Sequence, residues 1–151
     1  MNRRYPRRPF VGVGIVCLKG ASVLLVRRGK PPRKGEWSIP GGLQHVGETL
    51  AEAALRELRE ETGVRARLLG ELGTVDSIRR DGRGRVLYHY TLVDFAARWT
   101  SGIPKADDDA DDARFVPFTQ LRRYALWSET RRMIRLARRR ASKPRRARRA
   151  P

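Results

Sequence analysis

Two apolar, β-branched runs open the chain, at positions 10–18 and 23–26, with Lys19 and Gly20 between them. That pattern predicts two adjacent strands joined as a hairpin. Arg27, Arg28, Gly29, Lys30, Pro31 and Pro32 then end the second strand in a basic loop. A short extended piece is expected at 37–40, because Pro40 disfavours helical geometry in the residue before it. Gly41 and Gly42 permit a tight turn or a close backbone approach to a ligand. Over 48–62 the composition changes to Ala, Leu, Arg and Glu, which predicts a helix with Gly63 as its C-terminal cap. At about 100° per residue, Ala51, Ala54, Leu55 and Leu58 share a packing face. Glu57, Glu60 and Glu61 form an acidic ridge beside it, Ala53 lies one turn earlier in that ridge, and Glu52 and Arg59 face solvent.

Beyond the helix, 64–75 reads as one or two strands broken near Gly70 or Gly73. Asp81, Gly82, Arg83 and Gly84 are a strong turn signal, and 86–95 follows with high β propensity. Five aspartates between positions 102 and 113 give that stretch the composition of a loop. A short strand at 114–117, a brief helix capped by Thr119, and a final helix at 128–139 complete the pattern. Ser128 is the expected cap of that last helix, with Thr130, Met133, Ile134 and Ala137 on its buried side. The chain carries no internal repeat.

Composition adds a charge asymmetry. The 151 residues carry 34 Lys and Arg against 16 Asp and Glu, a net charge of +18. Residues 1–8 hold four arginines and residues 138–151 hold eight Arg or Lys without an acid, so the ends supply 12 of those charges. The division is therefore a basic N-terminal extension (1–8), one domain (9–139) and a basic C-terminal tail (140–151). The ends read as solvating, disordered segments, or as weak, salt-sensitive and non-specific contacts with nucleic acid. The single cysteine, Cys17, sits in an apolar run and reads as a small core residue. No window is long and apolar enough for a membrane span. The opening run reads as a strand rather than a signal peptide, which implies a cytoplasmic protein.

Carboxylates three and four positions apart share a helix face and repel one another, so the ridge calls for opposite charge. Arg56 and Arg59 could provide it on a merely solvated face. A divalent cation is the alternative: Mg²⁺ or Mn²⁺ takes oxygen ligands and bridges protein carboxylates to phosphate.

Spacing on the helix alone leaves both readings open. Gly42, Glu48, Arg56, Glu57, Leu58, Glu60, Glu61, Gly63 and Val64 occupy nine specified positions over 23 residues. Together they resemble the complete signature of the Nudix hydrolase family. The resemblance implies an α/β/α sandwich with a mixed sheet, a loop-helix catalytic element, and Mg²⁺-dependent cleavage of a nucleoside diphosphate derivative. It also implies metal binding by Glu57, Glu60 and Glu61, support from Glu48, orientation of a carboxylate by Arg56, and phosphate or metal at the Gly42 backbone. Further likeness at Val11–Gly14, Leu24–Gly29, Gly35–Gly42 and 108–117 is to the short bacterial ADP-ribose pyrophosphatase branch. Two departures concern substrate. His45 stands where relatives usually have an acid, and Ile78, Arg79, Arg80 and Asp81 occupy a region where better characterised ADP-ribose enzymes tend to have a proline.

The resulting expectation is hydrolysis of ADP-ribose to AMP and ribose 5-phosphate. Alternatives are a MutT-like nucleoside triphosphate pyrophosphatase acting also on oxidised nucleotides, an RNA 5′-pyrophosphohydrolase, and a non-catalytic nucleotide-binding module. Arg27, Arg28, Arg79 and Arg80 are candidates for phosphate contact, Trp37 for stacking on a base, and Gly41 for backbone approach. Glu60 is the favoured general base. The competing bases are loop acids, above all Asp108, Asp109 and Asp112, and a homodimer is an open expectation.

Overall fold

The computed structural model describes residues 2–31, 33–107 and 109–143. The predicted hairpin forms from β1 (Phe10–Lys19) and β2 (Ser22–Arg28), joined through Ala21 and Gly20. Its two strands are paired only at Leu18↔Val23 and Lys19↔Ser22. Farther from the turn they part. A two-residue strand β3 (Trp37–Ser38) lies on β2, and β4 (Gly41–Leu43) lies on β1 at Gly12, Val13 and Gly14. The wedge between two splayed strands is where the sheet opens.

The chain then forms α1 (Leu50–Thr62), crosses to the long hairpin β5 (Arg65–Arg80) and β6 (Val86–Ser101), and returns as β7 (Ala110–Pro117). A 3-10 helix, Phe118–Tyr124, leads to α2 (Ser128–Ser142). The strand order is β3-β2-β1-β6-β5, with β7 on β2 and β4 on β1. β1 and β6 run parallel and the other pairs antiparallel, so the sheet is mixed as expected.

Alternation along the strands sends side chains to two cores. Val13, Ile15 and Cys17 of β1 pack with Ala53, Ala54 and Leu58 of α1. Val16 and Leu18 point the other way, toward Met133, Ile134 and Ala137 of α2. One helix therefore covers each face, the α/β/α sandwich, because the strand period of two makes both faces of β1 apolar. Cys17 is fully buried, and burial pushes its thiol up to about 12. Among the described residues, no helix is long and apolar enough to cross a membrane.

Several sequence expectations change in detail. α1 begins at Leu50 rather than Glu48: Thr49 caps it, its hydroxyl accepting from the Glu52 amide while Glu52 accepts from the Thr49 amide. The buried face of α1 includes Ala53, Glu57 and Glu61, and leaves Leu55 37% exposed. Ala53 is thus a core residue rather than part of an exposed ridge. β5 is one continuous strand whose register slips at both Gly70 and Gly73. β7 starts at Ala110, inside the stretch expected to be loop. Neither Ser128 nor Thr119 caps a helix: the extended residues at the helix starts are Trp127 and Pro117, with no capping side chain.

The N-terminal extension is docked rather than free. The Tyr5 amide donates to the Leu87 carbonyl, and its hydroxyl donates to Asp81 at the β5–β6 turn. α2 runs to Ser142 and so crosses the expected boundary at 139. The tail from 144 to 151 lies outside the described residues, as does Asp108.

Removing the Thr49 cap tests how α1 is anchored. Thr49→Ala should lower unfolding stability by about 1 kcal/mol, measured by urea titration, because the Glu52 amide at the helix start loses its side-chain partner.

Candidate functional site

The acidic residues of α1 meet the sheet at β4. Gly42 lies so close to α1 that a Cβ on it would overlap the Glu57 carboxyl. Gly41 is equally confined, since a Cβ there would strike the Val13 carbonyl of β1. The pair of glycines thus lets bare backbone reach the two buried acids. Glu57 is 9% exposed and Glu61 7%. The Gly41 amide donates to Glu61 Oε2 at 3.2 Å.

Arg56 gathers the remaining acids. Its Nε and Nη2 donate to Glu48 Oε2 and Oε1 at 2.9 and 2.6 Å, a bidentate pair. Nη1 donates to Glu57 at 2.9 Å and to Glu60 at 3.1 Å, and Nη2 also reaches the Leu43 carbonyl at 2.9 Å. The guanidinium and the His45 amide hold the Glu48 carboxyl down to about 2. Glu61 behaves oppositely. Burial, with Glu57 and Asp109 nearby, pushes its carboxyl up to about 8 against the pull of the Gly41 amide and Arg28.

A cleft of about 360 Å³ opens in front of Glu57 and Glu61. Arg28, Trp37, Gly41, Gly42, His45 and Asp109 line it. Glu60, Arg27, Asp112, Arg79 and Arg80 do not. Glu60 has a side chain 41% exposed and turned to Arg56, so the favoured base lies outside the cleft. Asp112 pairs with Arg114, and Arg27 stands in register with Asp112 on the sheet. Arg79 and Arg80 lie at the far end of β5, where Arg80 donates to the Gly84 carbonyl. Asp109 enters the cleft as a partner of Lys30 at 2.5 Å. The Trp37 ring is packed edge-on against Tyr124, with its centroid 4.9 Å from the Arg114 guanidinium carbon.

Sequence reasoning missed the other end of the cleft, which is lined by Tyr90, Asp94, Trp127 and Glu129. One signal was available: Asp94 is the only acid in the otherwise apolar run from Leu92 to Ala97.

Among the described residues, no three acidic, His or Cys side chains already converge as a metal cage, since Arg56 draws Glu48 and Glu60 to itself. The donor set nevertheless fits a hard divalent cation. Two buried carboxylates lie one helical turn apart against a glycine backbone, and burial is the main cause of the raised Glu61 carboxyl.

A family model described as NUDIX domain matches residues 8–137. The ADP-ribose pyrophosphatase of Methanocaldococcus jannaschii is 37% identical over 117 residues, which cover 78% of this chain and 67% of the relative. The 8-oxo-dGDP phosphatase NUDT18 of Mus musculus is 36% identical over 102 residues, 68% of this chain but 29% of the relative. The NUDIX domain of Shewanella oneidensis NrtR, solved as a complex with ADP ribose, superposes with a TM-score of 0.73 at 26% identity, covering 91% of each chain.

Two outcomes follow from this geometry. Gly42→Ala should displace the Glu57 carboxylate and lower kcat at least ~10-fold, read by steady-state kinetics, while the protein stays folded. Glu61 holds its proton more tightly in the folded than in the unfolded chain between the ordinary 4.5 and about 8. Metal-free stability should therefore fall as pH rises through that window. Thermal unfolding in chelator should show that loss, excess Mg²⁺ should reduce it, and Glu61→Gln should flatten it.

Proposed function

The chain belongs to the Nudix family, and from that premise we propose that it hydrolyses the pyrophosphate bond of ADP-ribose, giving AMP and ribose 5-phosphate. Nudix-type hydrolysis of a nucleoside diphosphate derivative is the general activity of this architecture, and ADP-ribose is the specific substrate we propose. The observation that carries the reading is the buried pair Glu57 and Glu61, set against Gly41 and Gly42 at the mouth of the cleft. The archaeal pyrophosphatase and the ADP-ribose-bound domain support this choice of substrate. The similarity to an 8-oxo-dGDP phosphatase favours oxidised nucleoside phosphates as the second reading.

In this proposal Glu57 and Glu61 hold Mg²⁺, or Mn²⁺, with the Gly41–Gly42 backbone, and Glu48 and Glu60 complete the charge around it. The ion, when bound, neutralises the diphosphate and lowers the pKa of attacking water. Arg56 keeps Glu57 aimed at the cleft through its 2.9 Å hydrogen bond. Arg28, lining the same cleft, meets phosphate charge. Asp109 replaces Glu60 as the preferred base. It faces the cleft close enough to raise the Glu61 carboxyl, whereas Glu60 is turned toward Arg56. Water loses its proton to that carboxylate as it attacks phosphorus, and the phosphoanhydride oxygen leaves with the second phosphate.

A panel of ADP-ribose, 8-oxo-dGDP, nucleoside triphosphates and 5′-triphosphorylated RNA, with product analysis, tests the assignment. ADP-ribose should give the highest kcat/KM; exclusive turnover of a triphosphate would overturn it. Glu57→Gln and Glu61→Gln should each lower kcat at least ~100-fold, through loss of charge stabilisation in the transition state. Asp109→Asn should remove the acidic limb of the kcat–pH profile, and Glu60→Gln should retain it. The reverse pattern would return the base to the helix.

A further inference from the structure

At the far end of the cleft a buried carboxylate and a buried hydroxyl stand on one face of β6. Asp94 is 6% exposed, in a strand segment that is otherwise apolar. Burial pushes its carboxyl up to about 6, with Arg132 opposing and Glu129 adding to the shift, and no described residue donates a hydrogen bond to it. Four residues earlier on the same face of β6, the Tyr90 hydroxyl is buried without a hydrogen-bond partner. Buried polar groups are paired in nearly all folded proteins, so an orphan hydroxyl beside a buried carboxylate without a hydrogen-bond donor calls for an explanation. Both residues line the cleft that leads to Glu57 and Glu61.

The neighbouring strand makes room for the side chains on this wall. Gly14 stands in parallel register with Asp94, and a Cβ on it would overlap the Asp94 carboxyl. A Cβ on Gly12 would crowd Leu92 at 2.8 Å. Two bare backbone positions therefore let Leu92 and Asp94 lie against β1, and both glycines line the cleft together with Asp94, Tyr90 and Trp127.

We infer that Asp94 and Tyr90 read the nucleobase, the Asp94 carboxylate accepting a hydrogen bond from an exocyclic amine and the Tyr90 hydroxyl donating to the acceptor beside it. This rests on the nucleotide reading above and adds the class of base: one with an amine next to a ring acceptor, as in adenine. An ionised carboxylate only accepts hydrogen bonds. A base with a carbonyl in place of the amine would set oxygen against oxygen there, and a site built for a donor rejects the analogue lacking it. Asparagine in place of Asp94 keeps the shape and supplies an N–H donor, which should invert the preference. The competing account is that ordered water satisfies both groups, and it predicts no preference between bases.

The test measures binding of AMP and IMP by calorimetry, alongside KM and kcat for ADP-ribose and its inosine counterpart. The native protein should bind AMP at least ~10-fold more tightly than IMP, and Asp94→Asn should reverse that order, with KM moving and kcat held. Tyr90→Phe, which removes only the buried hydroxyl, should weaken AMP binding several-fold, and it carries the test should Asp94→Asn not fold. Equal affinity of the native protein for AMP and IMP would overturn the inference, as would equal weakening of both by Asp94→Asn. Binding is read without turnover, so a protein that prefers AMP but cleaves no diphosphate derivative would sink the proposed activity and leave the base assignment standing.

Discussion

Arg56 is the residue on which the arrangement of the site depends. Its guanidinium donates to Glu48, Glu57 and Glu60 and to the Leu43 carbonyl, so one cation ties α1 to the preceding loop and to β4. Four acids crowded around the start of a cleft would otherwise repel one another. The planar fork of Arg, unlike the point charge of Lys, can serve several of them in fixed directions. With Glu48 and Glu60 held this way, Glu57 and Glu61 are the acids presented to the cleft. Both are buried there, and burial above all raises the Glu61 carboxyl.

Much of this was legible in the chain, because the motif is local. Glycine at 42, arginine at 56 and acids at 57, 60 and 61 specify one helix, one turn and one charge problem within 23 residues. The helix-wheel reading failed on the packing face for a tertiary reason. Periodicity placed Ala51, Ala54, Leu55 and Leu58 together, but β4 lies over the acidic side of α1 and buries Glu57, Glu61 and Ala53 as well. No pattern within α1 announces a neighbour supplied by Gly41 and Gly42. The expected cap at Ser128 failed by one position: Trp127 is the extended residue, so Ser128 already sits in the first turn. The aspartates at 111 and 112 made a strand look like a loop. Ala110–Pro117 is a strand because it pairs along β2, and that pairing outweighs the low β propensity of Asp.

The far end of the cleft was nearly invisible in sequence, since it is assembled from β1, β6 and the start of α2. Only the parallel pairing of β1 with β6 brings Gly12 and Gly14 beside Leu92 and Asp94. The same splay of β1 from β2 that admits β3 and β4 also joins this end to the acidic one. A substrate lying along the cleft would thus meet the buried acids Glu57 and Glu61 at one end and Asp94 and Tyr90 at the other.

The central claim is that Glu57 and Glu61 form the seat of a divalent cation. Titration of Mn²⁺, followed by loss of the free-ion signal in electron paramagnetic resonance, addresses it without reference to any substrate. The native protein should bind Mn²⁺ saturably, and the double variant Glu57→Gln, Glu61→Gln should lose that binding while keeping its fold by circular dichroism. Undiminished Mn²⁺ affinity in the folded double variant would contradict the account.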